Sequence, residues 1–170
     1  MSCYIEIYVR HDNQFIPFGS WSRNSVVYQM FDEVNAAPWE AIRPVTFDLI
    51  NEVESNWKEN IDNWKEHIKK INQRIDLATK MSDVPFAERV EKIEEYQEDL
   101  AESKDSLAEC EFAMNYLETL KLASTEIKER LEWQEKYPDD YGTKVITGIE
   151  DTLFYIGMEV GAPTVEDIVE

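Results

Sequence analysis

A chain of 170 residues carrying a formal net charge of −19 repels phosphates and anionic lipid headgroups, which argues against direct nucleic-acid or membrane-surface binding and for basic partners. Its 43% hydrophobic and 12% aromatic content supply a packed core and argue against disorder. No cysteine spacing, apolar leader or run of about 18 apolar residues points to a disulfide framework, secretion or membrane spanning, so a cytoplasmic protein with reduced Cys3 and Cys110 is expected.

The charge is uneven: −2 over residues 1–45, −10 over 46–136 and −7 over 137–170. Tyr4 to Arg10 alternates, with Ile5, Ile7 and Val9 on one face and Tyr4, Glu6, Tyr8 and Arg10 on the other. That period of two predicts a half-buried strand. A turn at Asp12-Asn13 leads to a second strand over Phe15 to Trp21. A two-residue loop pairs Val9 with Ile16, Ile7 with Phe18 and Ile5 with Ser20. Tyr8 then lies beside Pro17 and Tyr4 beside Trp21, so Tyr4, Tyr8 and Trp21 share a face. Pro17 lacks a donor, which predicts an edge strand or a bulge.

Asn24 is read as the cap of a short helix reaching about Val34, with Val26, Val27, Met30, Phe31 and Val34 as its apolar stripe. Residues 35–44 read as a connector broken by Pro38 and Pro44.

From Thr46, an N-cap, the pattern becomes that of a long helix. Its seam is Ile50, Trp57, Ile61, Trp64, Ile68, Ile71, Ile75 and Ala78, in heptad steps from Trp57 onward. The pattern breaks at Met81-Ser82-Asp83-Val84-Pro85. Asp83 is read as the cap of a second long helix with Pro85 in its first turn. The second seam is Phe86, Ile93, Tyr96, Leu100, Ser103, Leu107, Cys110, Met114, Leu117, Leu120, Ser124, Ile127 and Leu131. So short a link forces the helices antiparallel. Folding about Asp83 sets Trp64 near Ser103 and Trp57 near Cys110 and Ala113, large against small, as close packing requires.

Tyr137 to Gly142 ends the second helix. Beyond it, Val145, Ile149, Leu153, Ile156 and Val160 fit a helix, but Gly148 and Gly157 and the β-branched and aromatic residues favour strands at about 144–149 and 153–160, turning at Glu150-Asp151. The tail after Pro163 is expected to form one capped turn and otherwise to fray. The fold class is therefore α+β. A long antiparallel, coiled-coil-like helical hairpin over 46–136 packs on a small, mainly antiparallel sheet. The sheet belongs to a lobe made of 1–45 and 137–170.

Little in the chain announces chemistry. His11 falls in a turn and His67 off the apolar seam, neither with ligand-spaced neighbours, so no metal site is expected. Cys110 lies on the seam as a small buried residue. Glycine is scarce and no phosphate-cradling loop occurs. Acid pairs such as Glu94-Glu95 or Asp139-Asp140 carry little information in so acidic a chain. No catalytic residues and no cofactor are predicted.

The two helical arms differ electrically. The first carries Lys58, Lys65, Lys69, Lys70, Arg74 and Lys80. The second carries Glu88, Glu91, Glu94, Glu95, Glu98, Asp99, Glu102, Asp105, Glu109 and Glu111 against Arg89, Lys92 and Lys104. Ion pairs between the arms are expected to set their orientation, with surplus acids facing water or a partner. Glu88 through Glu109 are thus the first candidate for a partner-binding surface, and Tyr4, Tyr8 and Trp21 the second. The function class that fits is a non-enzymatic protein–protein interaction module whose carboxylates imitate nucleic acid. It would act as an inhibitor blocking a basic, nucleic-acid-binding surface, in the manner of small phage anti-defence proteins. A self-associating coiled-coil adaptor is the second class, and a ligand-binding or enzymatic domain the third. The analogy is one of composition.

Overall fold

In chain order the elements are β1 (Tyr4–His11), β2 (Gln14–Ser22), α1 (Val26–Asp32), β3 (Ile42–Pro44), α2 (Phe47–Lys80), α3 (Phe86–Lys136) and β4 (Phe154–Met158), followed by a 3-10 turn at Val165–Asp167. The structure, a computed structural model, describes residues 3–11, 13–137 and 154–170. It is α+β, with two long helices packed together and one antiparallel sheet of order β2-β1-β4-β3. Contacts divide the chain into two units: Met1–Asn56 with Ala113–Glu170, and Trp57–Phe112.

The first unit holds the sheet. β1 and β4 are its inner strands, and both faces of β1 are buried: Ile5 and Ile7 on one side, Tyr8 on the other. All five β4 residues are buried as well. On the Ile5/Ile7 face, the Tyr28 hydroxyl of α1 reaches Met158 Sδ at 3.8 Å, and Trp21 packs on Tyr116 of α3 with ring centroids 4.7 Å apart. Leu49, Ile50 and Val53 of α2 and Leu117 and Leu120 of α3 are buried in the same unit. On the opposite face Tyr8, Ile42 and Tyr155 form a cluster closed by Phe15, Val160 and Ile168.

Pro17 sits in β2, which is an edge strand, and the register also slips beside it. Val9 pairs with Ile16 and Tyr8 with Pro17, as the alternation predicts. Past the slip between Ile7 and Tyr8, Ile7 pairs with Gly19 and Ile5 with Trp21. The expected pairs Ile7–Phe18 and Ile5–Ser20 are therefore corrected by one residue. The cause is a bulge: Phe18 is the extra residue, and an extra residue on one strand exchanges faces for everything beyond it.

Three further expectations are revised. Ser25, not Asn24, caps α1, its hydroxyl accepting from Val27 N at 3.2 Å, and the helix stops at Asp32. The 35–44 connector contains the short strand β3, with Pro44 pairing Tyr155 at the free edge, where a missing donor costs nothing. The tail is not frayed. Thr164 and Asp167 form a reciprocal capping box, and Val169 N donates to Ile42 O at 2.8 Å, tying the tail to β3.

The strand predicted at 153–160 appears as β4. The one at 144–149, the turn at Glu150-Asp151, the segment Pro138–Gly142 and the turn residue Asp12 lie outside the described residues. Two positions explain how the strands close up. Glu159, just after β4, adopts the left-handed region at φ 55°, and its carboxylate accepts from Tyr4 N at 2.7 Å. Gly157 leaves no room for a Cβ, which would overlap the Ala41 carbonyl oxygen and crowd Ile42 and Val160.

The second unit is an antiparallel helical pair. Thr46 caps α2 as predicted, its hydroxyl accepting from Leu49 N at 3.2 Å. α2 ends at Lys80 and α3 begins at Phe86. The carbonyl of Pro85 accepts the first helical bond, from Arg89 N, so Pro85 and not Asp83 occupies the flanking position. Trp57, Ile61, Ile71 and Ala78 are buried on α2, and Ser103 and Cys110 on α3. Trp57 Nε1 donates to Cys110 O at 2.9 Å. These residues stand equally far from the Asp83-Val84 link, which is the register the seams predict. Phe86 departs from its expected seam role and is 74% exposed, because α2 ends before it can cover that position. The side chains of Ile127 and Leu131 lie outside the described residues.

Gly157→Ala is expected to cost about 1–3 kcal/mol, the range for overpacking a tight site. Urea denaturation followed by circular dichroism measures it, and an unchanged midpoint would contradict the close approach.

Candidate functional site

The acidic candidates all lie on α3 within the second unit. Heptad steps of three and four carry Glu88, Glu91, Glu95, Glu98, Glu102, Asp105 and Glu109 along one stripe of the helix. The buried seam runs through Ser103 and Cys110, so the stripe falls on the side away from α2. All seven are exposed, as is Glu94; Asp99 is half-buried. At ~1.5 Å rise per residue the stripe is about 32 Å long, with successive carboxylates about 5 Å apart along the axis. A B-DNA strand carries one phosphate per about 3.4 Å, so the linear charge density is of the same order.

The expected ion pairs between these acids and the lysines of α2 are not formed. Among the described residues no hydrogen bond or ion pair engages the nine candidate carboxylates. An ion pair that does join the long helices is Lys121 Nζ to Glu54 Oε2 at 3.3 Å, in the first unit. With ~5 Å between neighbouring like charges, the stripe repels itself, and a basic surface laid along it relieves that repulsion.

The aromatic candidates are not brought together. The bulge carries Trp21 to the Ile5/Ile7 face, where it is half-buried against Tyr116. The Trp21 ring also lies over Gly19, whose missing side chain makes the space. Tyr8 is on the opposite face, 1% exposed. Its hydroxyl donates to Glu6 Oε2 at 2.6 Å and lies 3.3 Å from Gly161 O. Burial first, and the Glu6 carboxylate second, hold that phenol well above its ordinary titration range. Tyr4 alone of the three is exposed. Arg10, beside Tyr8, donates to the Tyr155 hydroxyl at 3.0 Å and its guanidinium lies 5.7 Å from the Phe15 and Tyr155 ring centres. This face is a closed core with a polar lining, so its aromatic residues serve packing.

Other chemistry-bearing residues have structural surroundings. His67 is exposed and meets Trp64 edge-on at 5.8 Å. His11 ends β1, exposed. Cys3 is half-buried and Cys110 buried, both as free thiols. Among the described residues no three His, Cys, Asp or Glu side chains converge as a metal-holding group, and no helix is long and apolar enough to cross a membrane. Asp139 and Asp140 lie outside the described residues. The feature that sequence reasoning missed is a group of exposed apolar residues around the helical turn: Leu77, Met81, Phe86 and Val90. Leu77 and Val90 lie off the assigned seams, a signal the sequence did contain.

Among the described residues the Tyr116 hydroxyl is buried without a hydrogen-bond partner, and burial raises its pKa. The fold favours the neutral phenol, so this contribution is intact below the ordinary phenol value near 10 and is lost as pH rises beyond it. Tyr116→Phe removes an unsatisfied group. It is expected to leave stability at pH 7 unchanged or raised by about 1 kcal/mol, and to shallow the alkaline loss above pH ~10. Chemical denaturation across pH measures both; a marked loss at pH 7 would show that the hydroxyl is bonded.

Compared with known proteins, this chain matches no family model, no curated protein and no solved structure.

Proposed function

We propose that the protein is a non-enzymatic interaction module that lays the carboxylate stripe of α3 on a basic protein surface. The observation that carries this is the stripe itself: seven exposed acids at heptad spacing, without hydrogen-bond or ion-pair partners among the described residues, on the side of α3 away from α2. A surface that binds nucleic acid is built to receive a row of negative charges on a rigid support. α3 supplies such a row on a helix whose other side is held by its packing. Bound there, the protein would act as an inhibitor by occupying the phosphate track of its target. A cytoplasmic setting, with Cys3 and Cys110 reduced, accompanies this function.

Charge reversal at Glu91, Glu95, Glu98 and Glu102 to Lys tests the stripe. The control reverses Glu52, Glu59, Asp62 and Glu66 of α2, which are also exposed and give the same net charge. Binding is measured to a 20-residue lysine-rich peptide in a salt titration. The α3 reversal is expected to weaken binding at least about tenfold more than the α2 reversal, with the wild-type affinity falling steeply as salt rises. Equal losses from the two reversals would show that only net charge matters and would overturn the stripe as the binding surface.

A further inference from the structure

The hairpin tip of the second unit carries a different kind of surface from the stripe beside it. Leu77 in the last turn of α2 is 62% exposed, Met81 in the link 43%, and Phe86 and Val90 in the first two turns of α3 74% and 36%. Phe86 and Val90 are four residues apart on one helix and therefore share a face. Residues 74–92 balance Arg74, Lys80, Arg89 and Lys92 against Asp76, Asp83, Glu88 and Glu91. In a chain of −19, this segment is electrically neutral and exposes four apolar side chains. Continuing from Phe86 and Val90 at the same step of four come Glu94 and Glu98, so the apolar surface runs into the carboxylates.

Phe86 also has a cationic neighbour. The Arg89 guanidinium lies 5.8 Å from its ring centre, a cation–π contact on one side of the ring. An exposed aromatic beside an arginine has the make-up of an interface anchor. Two copies meeting only through their tips would bury four side chains each, well short of the roughly 800 Å² per partner that a stable dimer uses. The tip therefore fits as one end of a larger interface, and the charge beside it says what that interface meets.

We infer that Phe86, with Met81, Leu77 and Val90, anchors the partner in an apolar pocket that borders the basic surface contacted by the α3 stripe. This rests on the stripe being the binding surface. The division of labour is physical. The carboxylates govern encounter and salt dependence, while the tip supplies salt-insensitive apolar burial that selects a partner with a pocket.

The test uses the full chain and two 20-residue probes of equal positive charge. One is an amphipathic helical peptide with a leucine- and phenylalanine-rich face; the other has that face replaced by serine. Wild type is expected to bind the amphipathic probe at least about tenfold more tightly than the serine probe. A Met81→Ser, Phe86→Ser double variant should lose that preference and keep its affinity for the serine probe. Its helicity, checked by circular dichroism, should be unchanged because both side chains are exposed. The α3 charge reversal should weaken both probes. An unchanged preference in the tip variant overturns the anchor and leaves the stripe standing. Unchanged binding of the serine probe after charge reversal overturns the stripe instead. Light scattering showing a dimer that the double variant abolishes would assign the tip to a second copy of the chain and overturn the inference.

Discussion

The hydrogen bond from the Trp57 indole to the Cys110 carbonyl, at 2.9 Å, sets the phase of the two long helices. A tryptophan ring fills the space beside a small residue only in one register, and its buried N–H requires an acceptor there. Given that register, Ser103 and Cys110 face the seam and are buried. The helical period then leaves the seven acids of the stripe, Glu88, Glu91, Glu95, Glu98, Glu102, Asp105 and Glu109, no side but the outer one. The same register places Phe86 beyond the end of α2, and so exposes it. The acidic stripe and the apolar tip are thus two consequences of one packing choice.

The first unit shows what the protein does with its aromatic residues. β1 and β4 are covered on both faces, one by α1 and the long helices and the other by the C-terminal tail. Tyr8, Tyr155, Arg10 and Glu6 are polar groups within such a covered face, and hydrogen bonds satisfy them there. The tail contributes backbone bonding at Ile42 and side-chain cover from Val160 and Ile168. Burial on both sides argues that this sheet is scaffold.

Much of this was legible in the sequence because it depends on period. Heptad spacing from Trp57 to Ala78 gave the seam, the Met81–Pro85 break gave the turn, and matching large to small residues gave the Trp57–Cys110 neighbourhood. The alternation of Tyr4 to Arg10 gave β1. What period could not convey was a single extra residue: Phe18 in the bulge moved Trp21 to the other face and dissolved the aromatic patch. β3 escaped notice because three residues ending in proline carry no period, and its pairing with β4 is a long-range event. The tail looked frayed because its order comes from tertiary contact with Ile42. The surplus of acids on α3 is a matter of composition, while their arrangement as a stripe on the side away from α2 required the register.

The central claim is that register, and the Trp57 indole proton reports it directly. In an NMR experiment on the intact chain, its nuclear Overhauser contacts should reach the backbone around Cys110. Its exchange with solvent should be far slower than that of the exposed Trp39 indole. Contacts instead to the backbone around Asp105, on the stripe itself, with exchange as fast as that of Trp39, would mean a different phase between the helices. The acidic stripe would then no longer face outward as a row.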